Sequence, residues 1–347
     1  MKKTLTAALA AALVALPAAA LAAPPPPMTQ AEAQERVNLF IQRLAAYSQP
    51  YQAAAIEAED IVLAVIDGAN KALEMQVEEA DEADMRAWYS GWSKEIRARQ
   101  AALKKAQAAL PPSVDVAFEE FGAPPTPELI ALRRAFERSP IAIRQLFASA
   151  HALTDDTLPL IEKSIGDPAA AVPLASQLIK AMGVTLEAEN VMLDVAIAGA
   201  QGHPQAFTSQ SVKASNEALI PLLDAQAAML QGGSIDRAAL ARTMRAKTAE
   251  SRAAATAIPA AAEDLVVRSK SVGMGAELNA KFDGLLASYR KSSETELQLA
   301  AQIDEAALRI ERGDDFGEAF EEAMAPVENL VNARLAQQQD RLRLLAQ

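Results

Sequence analysis

The feature that most constrains this chain is the interval between its apolar residues, which alternates between three and four over long stretches. Val172, Ala175, Ile179, Met182, Leu186, Leu193 and Ile197 form one such stripe; Leu278, Phe282, Leu285, Tyr289, Leu299, Ile303 and Ile310 form another. A strand needs a period of two, whereas an α-helix that buries one face needs 3.6. Residue usage points the same way. Only 4% of residues are aromatic and 14 are Gly, while Ala, Leu, Glu, Gln, Arg and Lys, the strong helix formers, dominate. The expectation is an all-α fold: an elongated antiparallel helical bundle, or two, with coiled-coil-like packing.

The N-terminus reads differently. Met1-Lys2-Lys3 is a short positive segment, an uncharged Ala/Leu run follows to Ala23, and Ala20-Leu21-Ala22 is a small-x-small cleavage site. These are the parts of a secretory signal peptide. We expect residues 1–22 to be removed and the product to be periplasmic or secreted. With no Cys in the chain, neither a lipid anchor nor a disulfide is available. Beyond the signal, Val191 to Ala200 comes nearest to a membrane span, and it is short and carries Asp194, so no transmembrane segment is expected after cleavage.

Residues 23–28 form a Pro-rich tether, and Thr29 to Glu32 reads as a capping box. Pro50 is expected to end or kink the first helix. Asp67-Gly68 could form a turn, but the apolar period passes through it, so a continuous helix is favoured. The acidic run Glu78 to Asp84 marks a corner, and the next helix extends to about Ala109. Residues 110–126 are the longest irregular stretch. Helix restarts at Pro127, and Asp167-Pro168 separates an N-terminal half, 29–165, from a C-terminal half, 167–347. Turns at 202–204 and 232–234 and an Asp315–Glu318 capping box divide the second half, whose last helix packs through Phe316, Phe320, Val327, Val331, Leu335 and Leu342.

Charge excludes one class of function. The chain has 33 Lys+Arg against 45 Asp+Glu, a net charge of −12, and losing Lys2 and Lys3 with the signal would deepen it. Nucleic-acid binding rests on cationic contacts with phosphate and is not expected.

Candidate sites are few. Trp88 and Trp92, one turn apart, could stack on a flat ligand, but the Met85, Ile96 and Leu103 stripe favours a place in the core. Lys94, Arg97 and Lys104 on the opposite face could meet an anionic surface, although plain solvation accounts for them. Phe118 and Phe121 in the long loop could dock on a partner or plug the bundle end. Glu189, between Leu186 and Leu193, could be a buried ligand or proton site; a small register drift would place it at the boundary in water, the reading favoured here. The two His, His151 and His203, lack the Glu-x-x-His and His-Glu-x-x-His spacings of metal helices. His203 is expected to be exposed in its turn, and His151 to sit near a helix end. No motif names a cofactor or a catalytic residue. The expected function is a non-catalytic exported helical protein acting through protein contacts as scaffold, adaptor or chaperone. The alternative is a bundle that binds a small molecule or metal between its helices.

Overall fold

The computed structural model describes residues 30–110, 127–200, 202–271 and 276–346. The signal segment, the tether, Thr29 and the loop bearing Phe118 and Phe121 lie outside the described residues. Among those described there are eight α-helices and no strand, so the fold is an all-α bundle. In chain order they are α1 Gln30–Val77, α2 Glu82–Ala108, α3 Pro127–Ser164, α4 Ala171–Gly199, α5 Pro204–Leu230, α6 Arg237–Ser271, α7 Ala276–Arg312 and α8 Phe316–Ala346. A single 3₁₀ turn, Pro168–Ala170, precedes α4.

Helix α1 runs through both Pro50 and Gly68. Pro50, expected to end or kink a helix, lies inside a continuous one; losing one backbone donor does not outweigh the packing of Tyr51, Ala54 and Ala58 just after it. Gly68 is explained by proximity. The indole of Trp92 lies on it so closely that a Cβ there would fall 2.1 Å from a ring carbon. The helix stops at the acidic corner, where Glu79 takes φ 54° and Ala80 N–H donates to the Met75 carbonyl. A left-handed non-Gly residue costs roughly 1–2 kcal/mol, offset by satisfying the last carbonyls of α1.

Asp caps mark the helix starts. The Asp81 carboxylate accepts from Ala83 N–H at 2.7 Å, Asp167 from Ala169 N–H at 3.1 Å and Asp315 from Glu318 N–H at 3.0 Å.

Two principal apolar cores result. The first joins α1, α2 and α3 with one face of α4: Ile61, Val65, Ile96, Leu103, Phe147 and Ile161 meet Leu174, Leu178, Met192 and Val195. The turn read at residues 166–168 is present, and this core runs across it. The second joins α5, α6, α7 and α8 through Leu219, Leu222, Met244, Ile303, Ile310, Phe316 and Val327. Helix α4 is therefore packed on two sides, since its Ser176 also donates to the Ala227 carbonyl of α5. Double packing accounts for part of its apolarity. The stretch 168–199 contains an 18-residue window of mean hydropathy 1.4, long and apolar enough to cross a membrane by length and composition, and 33% of that window is buried in the bundle. It is a longer candidate than the 191–200 segment picked out from the sequence, although Lys180, Glu187, Glu189 and Asp194 interrupt it.

Contacts between helix ends place the C-termini of α1, α3, α5 and α7 and the N-termini of α2, α4, α6 and α8 at one end of the bundle. Gln76 Nε2 of α1 donates to the Ser164 carbonyl of α3, Gln231 Nε2 at the end of α5 to Ser176 Oγ of α4, and Arg237 of α6 to the Asp314 carbonyl beyond α7.

Candidate functional site

The interior of the second half is not uniformly apolar. Five helices contribute polar side chains to one layer: Glu189 and Asn190 from α4, Ser211, Ser215 and Asn216 from α5, Ser251 from α6, Ser292, Thr295 and Glu296 from α7, and Arg334 and Gln337 from α8. At its centre Glu296 and Arg334 form an ion pair with side chains only 1% and 5% exposed. The guanidinium donates twice, from Nε to Oε1 at 2.7 Å and from Nη2 to Oε2 at 2.8 Å. This two-pronged geometry suits Arg, and a buried pair is tolerated only when its remaining polar valences are met. Ser211 Oγ supplies a longer contact to Glu296 Oε2, 3.4 Å, and shares hydrogen with Ser251 at 2.9 Å, which in turn meets Ser215 at 3.0 Å. Gln337 accepts from Ser292 at 3.0 Å and donates to Thr295 at 2.8 Å.

Glu189 belongs to the same layer. Asn216 Nδ2 donates to its carboxylate at 3.0 Å and to Asn190 Oδ1 at 3.1 Å. Burial pushes its carboxyl above the usual range; Arg334 and the Asn216 hydrogen bond pull it back, and Glu296 adds to the rise. Glu189 is half-buried, at the boundary of its helix's apolar face, with its carboxylate bonded to Asn216 inside the layer. Two carboxyl groups lie within the field of one guanidinium, so the layer carries a surplus of acceptors. It can hold a proton or order a cation-bearing group; equally, it can fix the mutual register of five helices.

The sequence reading missed Glu296 and Arg334, yet a signal for both exists. Tyr289, Ile303 and Ile310 fall on one heptad position, and Glu296 occupies the same position between the first two. Phe320 and Val327 continue at the same spacing to Arg334. A charge at a core heptad position is the mark of a buried polar contact.

Trp88 and Trp92 stack on each other, with centroids 5.6 Å apart and planes inclined by 19°. They are half-buried at the edge of the first core rather than within it. Tyr89 takes the seam position, in heptad phase with Ile96 and Leu103, and the indoles flank it. The Lys71 ammonium sits 5.4 Å from the Trp88 ring centroid. Lys94, Arg97 and Lys104 are exposed, as an outward face requires.

Both histidines differ from expectation. His203 is half-buried: its Nδ1 accepts from Gln205 N–H at 3.1 Å, capping α5, and its ring lies edge-on to Tyr289. His151 is well inside α3, so no helix C-terminus stabilises a cation there. Burial, then Lys104, lowers its pKa, with Asp155 opposing. No group of three or more His, Asp or Glu placed to hold a metal ion occurs among the described residues. Compared with family models, with curated proteins and with solved structures, the chain matches none.

Proposed function

We propose that this chain is an exported, non-catalytic helical protein that acts through protein contacts, as scaffold, adaptor or chaperone. The observation that supports it most is where apolar side chains are left in water. Val77, Val172, Met229 and Leu230 are four of the seven large exposed apolar residues among those described. All four belong to the bundle end where α1, α3 and α5 finish and α4 begins. Apolar surface gathered in one region favours burial against a partner. Export is supported by the Lys2-Lys3 segment, the apolar run and the Ala20-Leu21-Ala22 site, and the seven-residue spacing of the core positions supports coiled-coil-like packing.

The test is site-specific photo-crosslinking in the native host. A crosslinker at position 77 or 230 is expected to give a discrete adduct, whereas one at Val267, exposed on α6 beyond the second core, is not. Adducts equal at all three positions, or none at the bundle end, would reject the reading. Intact mass from the same preparation is expected to begin at Ala23.

A second reading, a small-molecule or metal-binding bundle, is favoured by the surplus carboxylate of Glu189 beside Glu296 and Arg334. Native mass spectrometry of the purified protein distinguishes it: a stoichiometric added mass, lost in Glu189→Gln, would move this reading ahead of the first.

A further inference from the structure

Helix α2 is held to α3 through a seam of mixed character. Met85, Ile96 and Leu103 are buried on α2 with Ser93 and Gln100 between them, in a helix that also packs on α1. Tyr89 Oη donates to the Leu158 carbonyl at 3.0 Å. Gln100 Nε2 donates to the Asp155 carboxylate at 3.0 Å and, weakly, to the His151 carbonyl at 3.4 Å. Within this seam the His151 ring has both nitrogens sealed from solvent and without a hydrogen-bond partner. Thr157 Oγ1, farther along the same helix, is in the same condition, and these three are the buried side-chain polar atoms without a partner among the described residues. A buried donor or acceptor left unmet is costly, and a buried, unpaired cation is costlier.

The charges whose fields reach the ring are Lys104 on α2, which opposes a second positive charge, and Asp155 on α3, which favours one. Asp155 is already engaged by Gln100. On α1 the carboxylates of Glu57 and Asp60 are taken by Arg99. A neutral imidazole fits this seam poorly; an imidazolium fits it worse.

We propose that α2 is an acid-released arm: protonation of His151 opens the α2–α3 seam, frees α2 from α1 with it, and uncovers the apolar face formed by Met85, Ile96 and Leu103. Docked, the ring resists protonation. Released into water, it takes a proton near its ordinary pKa of about 6.5. The open form then binds more protons than the docked one, so the opening constant rises by up to about tenfold for each pH unit below that value, until the docked ring itself protonates. This adds regulation to the protein-contact reading and is tested apart from it, because the readout is the position of α2 in the isolated protein.

The chain supplies its own reporter. Both of its Trp residues, Trp88 and Trp92, are on α2, and Trp92 rests on Gly68 of α1. Indole emission and acrylamide quenching of the full chain are followed from pH 8 to pH 5 beside far-ultraviolet dichroism. The expected result is a red shift and stronger quenching below about pH 6.5 with helix content retained, and a flat response in His151→Phe. Lys104→Gln changes an exposed side chain and so spares the fold; by removing the like charge it is expected to make the transition shallower. Flat wild-type emission, the same transition in wild type and both variants, or loss of helix in step with the emission change would overturn the proposal.

Discussion

Removing the guanidinium at the centre of the second half should be more damaging than removing its partner carboxylate. In Arg334→Met, Glu296 loses a two-pronged contact at 2.7 and 2.8 Å in a place where its side chain is 1% exposed. It is left with the 3.4 Å contact from Ser211, and Glu189 nearby also loses the cation that offsets it. Leaving one buried charge uncompensated costs about 3–5 kcal/mol. Glu296→Gln differs in kind. Arg334 keeps a carboxylate in its field, Glu189, and the new amide oxygen still accepts one hydrogen bond, so the loss falls to about 1–3 kcal/mol. The double change Glu296→Leu with Arg334→Met removes both charges and should cost less than Arg334→Met alone, as replacement of buried pairs by apolar residues of similar volume often does. Urea unfolding followed by far-ultraviolet dichroism at pH 7 measures all three, compared by midpoint if the transition has more than one step. Equal losses in the two single variants would refute the claim that Glu189 shares Arg334. A loss under about 1 kcal/mol in Arg334→Met would refute the burial of the pair itself.

Other outcomes follow from the same geometry. Gly68→Ala should destabilise despite a gain of about 1 kcal/mol in helix propensity, because its Cβ would stand 2.1 Å from a Trp92 ring carbon and overpacking costs roughly 1–3 kcal/mol; a shifted indole emission beside a lowered melting temperature would show it. Trp88→Ala and Trp92→Ala should each cost about 1–3 kcal/mol, below the roughly 3–5 kcal/mol of a fully buried aromatic, and acrylamide should reach the native indoles in part. Glu189→Gln should help more at pH 8 than at pH 5, by urea midpoints: the folded carboxyl is raised, so the native state holds its proton longer and loses stability as pH rises from the ordinary carboxylate range through the raised pKa. Glu79→Gly, which relieves the left-handed strain at φ 54°, should raise the melting temperature.

Much of the helical layout was legible because local rules set it. The capping carboxylates of Asp81, Asp167 and Asp315 need only their own helix, and the apolar period carried α1 correctly through Gly68. What escaped depended on a second helix. Pro50 is tolerated because Tyr51 beside it packs into the first core. The Trp pair sits beside the seam because Tyr89 occupies it, a choice of one position among three that periodicity alone does not make. Glu296 and Arg334 are partners 38 residues apart in the chain; their heptad positions mark each as anomalous, but only the packed bundle shows that the two anomalies cancel.

Helix α4 sets an order on the making of this protein. The first core needs Leu174, Leu178, Met192 and Val195, so a chain that has emerged only through α3 has an unfilled wall. That wall is filled only after residue 195 has emerged. The opposite face of α4, with Ser176 and Asn190, then waits for α5 to bring the Ala227 carbonyl and Asn216. Until both deliveries are made, the nascent chain exposes the most apolar helix among the described residues, and in that interval it is a natural client for a holding chaperone.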